Sequence, residues 1–358
     1  LGRCDAYLTK DEHDAYIGDA LRTMENDDFI DLTNATESTP GACFLTEREL
    51  GVYYERIDKE EKKKPKPMTV DDLDFATSNP NCTDEELSEA TRYVKKRAVK
   101  YMSVFATRKD ELPQPMARSI KNPTTYRWKE SSRPIRHKQP KWPPNKRRFM
   151  VEWVKKMTKE GLIEPAPESQ YTQRMVLVRK SIPGQPKDSI VFKVRPCIDM
   201  TGVNKFIHKL PPNYNDAHEE MKKLAGNNFY WVADGKSQFH SILLARKDRD
   251  ATTVWTPLGL YRHKRMIMGE RNASVVAQQM YRECLATMPE DIQARTACFQ
   301  DDMAGGTATV MQCAKDFIEF LAMCSREAIT LTPPKVHLFY DHCAFYGFRV
   351  NNTGYAYQ

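Results

Sequence analysis

Apolar residues recur at helical spacing in several stretches, and the clearest of these lies between Asn145 and Gly161. Phe149, Trp153 and Met157 fall every four residues on one face of that stretch. The pattern predicts an amphipathic helix that has Asn145 as its N-cap and Gly161 just beyond its end.

A second helix, over roughly residues 84–106, is predicted by the capping-box pair Thr83 and Glu86. Before it, residues 60–72 form a charged linker that is broken by prolines. After it, seven prolines mark residues 107–144 as an extended strap that is also basic. We interpret the strap as a surface linker in preference to a nucleic-acid arm.

Farther along the chain, short strand-like runs of apolar residues alternate with helical ones. The predicted elements are strands at 174–180, 191–200 and 229–245, a strand–turn–strand around 298–306, helices from Asn272 and over about 312–327, and a final hairpin that ends at Gln358. The third of these strands carries Asp234 in its middle. Hairpins mixed with helices at irregular spacing indicate an α+β fold and not a doubly wound parallel sheet.

Charge is distributed unevenly over the 358 residues. Residues 1–90 carry 10 Lys and Arg against 23 Asp and Glu, whereas the remainder carries 45 against 25. A basic body behind an acidic head suggests a polyanionic partner for the body.

Targeting signals and metal-binding cysteines are not evident in the sequence. No apolar run approaches the length of about 18 to 20 residues that a membrane helix needs. The chain starts at Leu1 without an apolar leader, which suggests an unsecreted piece of a longer chain. The nine cysteines contain no C-x-x-C pair, which favours free thiols in a reducing compartment. We therefore expect an intracellular protein, in the cytoplasm, the nucleus or a virus-like particle.

Three carboxylates are the strongest chemical signal. Asp301 and Asp302 lie between two apolar strand-like runs, and Asp234 lies in another, where an unpaired charge is costly. Each aspartate alone could equally belong to a turn or a strand end. Together, with basic segments on both sides, they predict an oxygen-only site for Mg²⁺ and phosphoryl-transfer chemistry.

The order of motifs from about residue 128 to residue 354 resembles the reverse transcriptase of gypsy-type LTR retrotransposons. Six segments match family strings in sequence: EWVKKMTKEGLIEPAPES (152–169), VRPCIDMTGVN (194–204), VADGKSQFHSI (232–242), MIMGERNASVVAQQM (266–280), FQDD (299–302) and LTPPKVHLFYDHCAFYGFRV (331–350). The resemblance implies a right-hand polymerase, with fingers and an antiparallel, ferredoxin-like palm sheet backed by helices.

The resemblance also implies roles at the reaction centre. Asp234, Asp301 and Asp302 match the family's metal-binding triad, which takes Mg²⁺ or Mn²⁺. Lys335 matches the lysine that donates a proton to the leaving pyrophosphate. Alone, Lys335 could equally be a solvated residue beside two prolines.

Further positions match the family's nucleotide site. Arg195 matches the fingers arginine that packs over the incoming base, and Phe239 matches the aromatic residue that excludes a ribose 2′-hydroxyl. Asn272 and Gln278 match the nucleotide-pocket motif. For a fingers lysine, both Lys187 and Lys180 remain candidates. Outside the resemblance, these side chains read as a surface ion pair, a core aromatic and a helix N-cap.

The primer grip of the family matches Phe345, Tyr346 and Gly347, which could also be a strand with a bulged glycine. The chain departs from the family strings at several positions. Glu270 replaces a neutral residue and is expected to put negative charge near the triphosphate. The glutamine of the family's "Y-H-Q-I" is Ser241.

The resulting division has four parts: an acidic, mostly helical or irregular N-terminal extension (1–82), a helix and basic strap (83–144), fingers with the start of the palm (145–228), and palm through primer grip (229–358). We expect no thumb, connection or RNase H domain.

Three functions compete for this sequence. The first is an RNA-directed DNA polymerase fragment that adds dNTPs to a primer 3′-hydroxyl on an RNA or DNA primer–template. The second is a domesticated or degenerate relative that acts as a non-catalytic subunit of a larger complex, with the acidic extension as a possible protein contact. The third is a nucleic-acid binder without chemistry.

Overall fold

The computed structural model describes residues 45–59, 69–106, 111–180, 192–211 and 216–357. Within these ranges, no helix is long and apolar enough to cross a membrane.

The α-helices are short to medium in length and are distributed over the whole described chain. They are α1 (Glu47–Lys59), α2 (Asp84–Ala98), α3 (Ala117–Lys121), α4 (Pro144–Lys159), α5 (Thr201–Asn204), α6 (Ala217–Leu224), α7 (Ala273–Leu285), α8 (Glu290–Gln293) and α9 (Val310–Glu327). Short 3₁₀ segments, including Val99–Val104, Gln238–Ser241 and Pro333–Lys335, connect several elements.

The strands lie mainly in the second half of the chain. They are β1 (Asp74–Phe75), β2 (Ile163–Pro165), β3 (Met175–Lys180), β4 (Lys193–Ile198), β5 (Phe229–Asp234), β6 (Val254–Thr256), β7 (Gly259–His263), β8 (Thr296–Phe299), β9 (Asp302–Thr307), β10 (His337–Tyr340), β11 (His342–Phe345), β12 (Phe348–Asn351) and β13 (Gly354–Tyr357).

A five-stranded sheet of order β1-β10-β5-β9-β8 forms the centre of the fold. Its four long-range neighbours β10, β5, β9 and β8 pair antiparallel, whereas β1 pairs parallel with β10. The mixture of helices and this mainly antiparallel sheet confirms the predicted α+β class.

Side chains of β5 alternate between two hydrophobic cores. Phe229, Trp231 and Ala233 belong to the larger core, in which Trp231 packs against Phe320 of α9 with ring centroids 4.5 Å apart. Tyr230 faces the smaller core, which α6 and the β11-β12-β13 sheet complete. Period-two alternation therefore buries the strand on both faces and fixes its register.

The fingers region consists of α4, the β3-β4 hairpin and the β2-β7-β6 sheet. The prediction of Asn145 as the N-cap of α4 is wrong, because the helix starts at Pro144 and Pro143 occupies the cap position. A side chain from α1 does the capping. The Glu47 carboxylate accepts from the backbone N–H groups of Asn145, at 2.6 Å, and Lys146, at 3.1 Å.

Two other predicted elements end earlier than expected. The strand predicted over 229–245 stops at Asp234, because Ser237 adopts a left-handed conformation with φ 47° and the chain then forms a 3₁₀ turn. The helix predicted over 84–106 ends at Ala98, followed by a 3₁₀ segment kinked at Tyr101. Asp234 therefore lies at a strand end, where its side chain faces the loops.

The segment predicted as an N-terminal extension packs into the polymerase-like region wherever it is described. Helix α1 contacts α4, and β1 adds a parallel strand beside β10. The Asp74 carboxylate bonds to His337 Nδ1 at 2.5 Å and accepts from the Tyr340 hydroxyl at 2.9 Å. Buried Asn79 donates its amide to the carbonyls of Asn228 and Phe339.

Replacing Asn79 with Ala should therefore destabilise the central sheet. The substitution leaves two backbone carbonyls without their donor, and we expect a loss of about 1 to 3 kcal/mol in the free energy of unfolding. Urea denaturation would measure this loss against Asn122→Ala, which changes an exposed asparagine. Equal stability of the two variants would show that the segment before residue 82 does not brace the sheet.

Candidate active site

Backbone pairing brings the three aspartates to one edge of the central sheet. Asp234 ends β5 and Asp302 begins β9, and the two are directly opposite in the antiparallel register. Asp301 lies in the β8-β9 turn, where Gln300 has a φ of 54° and the N–H of Gly235 donates to the Asp301 carbonyl at 2.7 Å. Two neighbouring strands therefore present all three carboxylates together.

The carboxylates repel one another in a largely buried setting. Burial, followed by the charges of Asp234 and Asp302, raises the pKa of Asp301 to about 7. Burial and the charge of Asp234 raise the pKa of Asp302 to about 6. Both groups are thus harder to ionise than an ordinary aspartate, and a cation beside them would favour their charged forms.

Lys335 supplies positive charge at this edge. Its Nζ lies 2.6 Å from Asp234 Oδ1, and the backbone N–H of Thr332 donates to the Asp234 carbonyl at 2.9 Å. Burial alone would lower the pKa of Lys335, but the hydrogen bond and charge of Asp234 raise it. The lysine side chain remains 61% exposed, so its ammonium can leave this position without opening the core.

The donor chemistry of the edge fits a hard divalent cation. Among the residues that the structure describes, no group of three His, Cys, Asp or Glu side chains is already arranged to hold a metal ion. Two of the three carboxylates are instead engaged, Asp234 by Lys335 and Asp301 by Gln238. The ammonium stands where cationic charge is electrostatically favoured, and carboxylate oxygens are the ligands that Mg²⁺ and Mn²⁺ prefer.

The predicted nucleotide-site residues lie on different elements around this edge. Phe239 lies in the Gln238–Ser241 turn, five residues after Asp234, and packs half-buried against the larger core. Arg195 is half-buried on β4, opposite Val178 of β3. Lys187, the candidate fingers lysine, lies outside the described residues.

Asn272 and Gln278 are engaged with backbone groups. The Asn272 side chain accepts from the N–H of Leu210 and donates to the His208 carbonyl, so it does not cap α7. Gln278 is only 1% exposed. Its amide donates to the Cys298 carbonyl at 3.1 Å and accepts from the N–H of Gln300, so it braces the turn that carries Asp301.

The expectation that Glu270 brings negative charge to the triphosphate is wrong. Glu270 is 3% exposed, and its carboxyl accepts from the backbone N–H of Ile267 at 3.0 Å. Burial raises its pKa to about 8, so the group is mostly protonated at neutral pH. Sequence alone missed this burial because the segment reads as polar.

Phe345, Tyr346 and Gly347 form the tight connection between β11 and β12. Phe345 pairs with Phe348, which leaves Tyr346 and Gly347 as a two-residue turn with φ values of 52° and 76°. Positive φ at both positions is typical of a type I′ hairpin and not of a bulge. The Tyr346 ring lies over Phe299 with centroids 3.6 Å apart, so this turn contacts the β8-β9 hairpin.

Sequence reasoning missed two residues that contact the carboxylate edge. Gln238 donates its amide to Asp301 Oδ1 at 3.1 Å. Tyr281 of α7 packs so closely on Gly235 that a Cβ there would lie 2.6 Å from the tyrosine hydroxyl oxygen. The glycine next to Asp234 was the available signal for such a close approach.

Comparison with known proteins agrees with this geometry. Residues 185–350 match the family model described as reverse transcriptase (RNA-dependent DNA polymerase). The chain is 26% identical over 206 residues to the retrovirus-related Pol polyprotein from transposon 412, and 24% identical over 209 residues to that from transposon gypsy, both of Drosophila melanogaster. The alignments cover 56% and 58% of this chain but only 16% and 19% of those polyproteins.

Solved structures share the fold at low sequence identity. A foamy viral protease-reverse transcriptase in complex with an RNA/DNA hybrid matches 81% of this chain with a TM-score of 0.61 and 13% identity, over 35% of its own length. The native prototype foamy virus enzyme matches 92% of this chain with a TM-score of 0.61 and 14% identity, over 38% of its length. The predicted reverse transcriptase region of gypsy type and the polymerase fold are both confirmed.

Glu270 should make the stability of the fold depend on pH. Its folded-state pKa of about 8 lies above the ordinary value of 4.5, so the folded chain binds this proton more tightly and stability falls as pH rises between those values. Glu270→Gln removes the titrating group, and we expect the variant to exceed the wild type at pH 8 by on the order of 3 kcal/mol, with a much smaller difference at pH 5.

Chemical denaturation at several pH values would measure the difference between the two curves. Glu130→Gln, at an exposed glutamate, is the matched control and should run parallel to the wild type. A Glu270→Gln curve that also runs parallel to the wild type would contradict the burial of Glu270 as a protonated group.

Proposed function

We propose that this chain, whose residues 185–350 form a reverse transcriptase region of the gypsy type, catalyses RNA-directed addition of dNTPs to a primer 3′-hydroxyl. The observation that carries the proposal is the meeting of Asp234, Asp301 and Asp302 at one edge of β5 and β9. A buried group of like charges is unfavourable for stability, and such groups cluster where chemistry requires them.

The three aspartates would hold Mg²⁺ or Mn²⁺. When bound, the metal would supply an activated 3′-hydroxyl and compensate the charge of the leaving pyrophosphate. The aspartates themselves serve as oxygen ligands and not as proton carriers in this proposal. Their raised pKa values favour the cation, because its charge offsets both burial and mutual repulsion.

Lys335 would keep a proton on Nζ for the leaving pyrophosphate. Its ion pair with Asp234 supports this role, because the pairing keeps the amine protonated at neutral pH. The side chain is mostly exposed, which allows it to turn from the carboxylate toward a phosphate. The lysine therefore combines a retained charge with freedom to move.

Nucleotide selection would depend on the elements that flank the carboxylates. Phe239 would exclude the ribose 2′-hydroxyl by contact, and Arg195 would stack on the base and contact phosphates. The contribution of Gln278 would be indirect, through the turn that it braces. Asn272 would shape the pocket by holding the segment around residues 208–210. Lys187 remains a candidate for the triphosphate.

A primer–template would lie along the basic body of the chain. Phosphate contacts supply most of the affinity in such complexes, and residues 91–358 carry the excess of Lys and Arg. The turn at Phe345–Gly347 would hold the primer end, since it packs on the hairpin that carries Asp301. The foamy viral relative was solved with an RNA/DNA hybrid, which supports the same class of ligand here.

A primer-extension assay on primed RNA and DNA templates tests the activity. We expect Mg²⁺-dependent dNTP incorporation by the wild type and only background incorporation by Asp301→Asn/Asp302→Asn, because the neutral amides are poor metal ligands. The double variant should unfold at a higher temperature in EDTA, because the repulsion is removed, so unfolding cannot explain its inactivity. Asp84→Asn, at an exposed aspartate of α2, should retain activity.

Incorporation that is absent from both proteins, or equal in both, would contradict catalysis by this chain. The non-catalytic alternative, a structural subunit with protein contacts through the acidic N-terminal extension, would then be favoured. Binding without incorporation would favour a nucleic-acid binder.

Phe239→Ala should relax sugar selection. Removing the ring leaves space for a 2′-hydroxyl, and we expect the ratio of kcat/KM for dNTP over rNTP to fall roughly tenfold or more. Single-nucleotide extension with matched dNTP and rNTP would measure the ratio. Phe149→Ala, at a partly buried phenylalanine of α4, should leave the ratio unchanged even if it alters overall activity. A Phe239→Ala ratio equal to that of the wild type would contradict the steric role.

A further inference from the structure

The side chain of Gln238 lies directly beside Asp301, in a place that the function proposed above does not use. Its Nε2 is 3.1 Å from Asp301 Oδ1. Gln238 is only 5% exposed, so little water competes for this hydrogen bond. The amide therefore restricts rotation of the Asp301 carboxylate.

The backbone around Gln238 is itself held in place. The left-handed Ser237 turns the chain sharply after β5, and the Ser241 hydroxyl donates to the Gln238 carbonyl at 2.6 Å. Tyr281 closes the other side by packing on Gly235. A side chain that starts from so fixed a turn loses little additional freedom when it bonds to Asp301.

The local sequence departs from the family string at the two positions that build this arrangement. In K-S-Q-F-H-S-I, Gln238 stands where the family's "K-S-G-Y-H-Q-I" has glycine, and Ser241 stands where it has glutamine. A glycine has no side chain to reach Asp301. The contact between Gln238 and Asp301 is therefore particular to this variation of the string.

A neutral donor affects the carboxylates differently from Lys335. The ammonium of Lys335 compensates the charge of Asp234, whereas the amide of Gln238 orients Asp301 and leaves its charge available. The other end of the amide, Oε1, is buried and has no hydrogen-bond partner among the described residues. An unpaired buried acceptor costs about 1 to 3 kcal/mol, and an O–H donor arriving at this edge would remove that cost.

We propose that Gln238 is a positioning residue, which holds the Asp301 carboxylate in the orientation that binds a divalent cation at the β5–β9 edge. This inference rests on the proposed function, because it assumes that the three aspartates bind the cation. Groups that hydrogen-bond to metal ligands commonly change metal affinity by about 10- to 100-fold when they are removed.

Mn²⁺ titration of the purified chain tests the proposal without an activity assay. Gln238→Met retains the length and apolar bulk of the side chain but removes both ends of the amide. We expect its dissociation constant for Mn²⁺ to rise roughly 10- to 100-fold, by calorimetry or by the electron paramagnetic resonance signal of free Mn²⁺. Gln279→Met makes the same change at the next residue, an exposed position of α7, and should bind Mn²⁺ like the wild type.

Thermal unfolding in EDTA separates positioning from a purely structural role. A structural role predicts a lower melting temperature for Gln238→Met with an unchanged dissociation constant, and an affinity within twofold of the wild type would overturn the proposal. If the methionine variant does not fold, Gln238→Leu repeats the loss of the amide with a shorter side chain.

The wild-type titration distinguishes the two possible failures. If the wild type binds Mn²⁺ and Asp301→Asn does not, but Gln238→Met binds normally, only the positioning role fails. If the wild type does not bind Mn²⁺, the metal site of the proposed function fails, and the role of Gln238 fails with it.

Discussion

Repulsion among three buried carboxylates is the constraint on which this structure depends. Antiparallel pairing of β5 with β9 places Asp234 opposite Asp302, and the β8-β9 turn adds Asp301. No local rearrangement can separate the charges without breaking the central sheet. The rest of the fold must therefore hold an unfavourable arrangement in place, and the two hydrophobic cores on either face of the sheet provide the energy to do so.

Several contacts distribute that burden around the edge. Gln278 fixes the backbone before Asp301, and the ring of Tyr346 packs on Phe299 in the preceding strand. Tyr281 packs against the chain after Asp234. Each contact comes from a different element, so rigidity at the carboxylates reflects the assembled tertiary structure. The same contacts link the β11-β12 turn to the carboxylates, which places both in one mechanical unit.

The first part of the described chain contributes to this unit as well. Strand β1 extends the central sheet beside β10, and Glu47 caps α4 in the fingers region. Segments with acidic composition are easily read as appendages. Here their carboxylates have specific partners, because a helix N-terminus and the His337–Tyr340 strand accept the charge of Glu47 and Asp74.

By itself, the sequence determined the α+β class, most helix and strand positions, the family resemblance and the three aspartates. These features depend on local periodicity and motif order, and one chain carries both. Only the tertiary structure decided which side chains meet. The burial of Glu270, the capping of α4 by Glu47 and the contact of Gln238 with Asp301 join residues through the packing of other elements. Burial also sets the charge state of Glu270, since the same glutamate in water would be ionised at neutral pH.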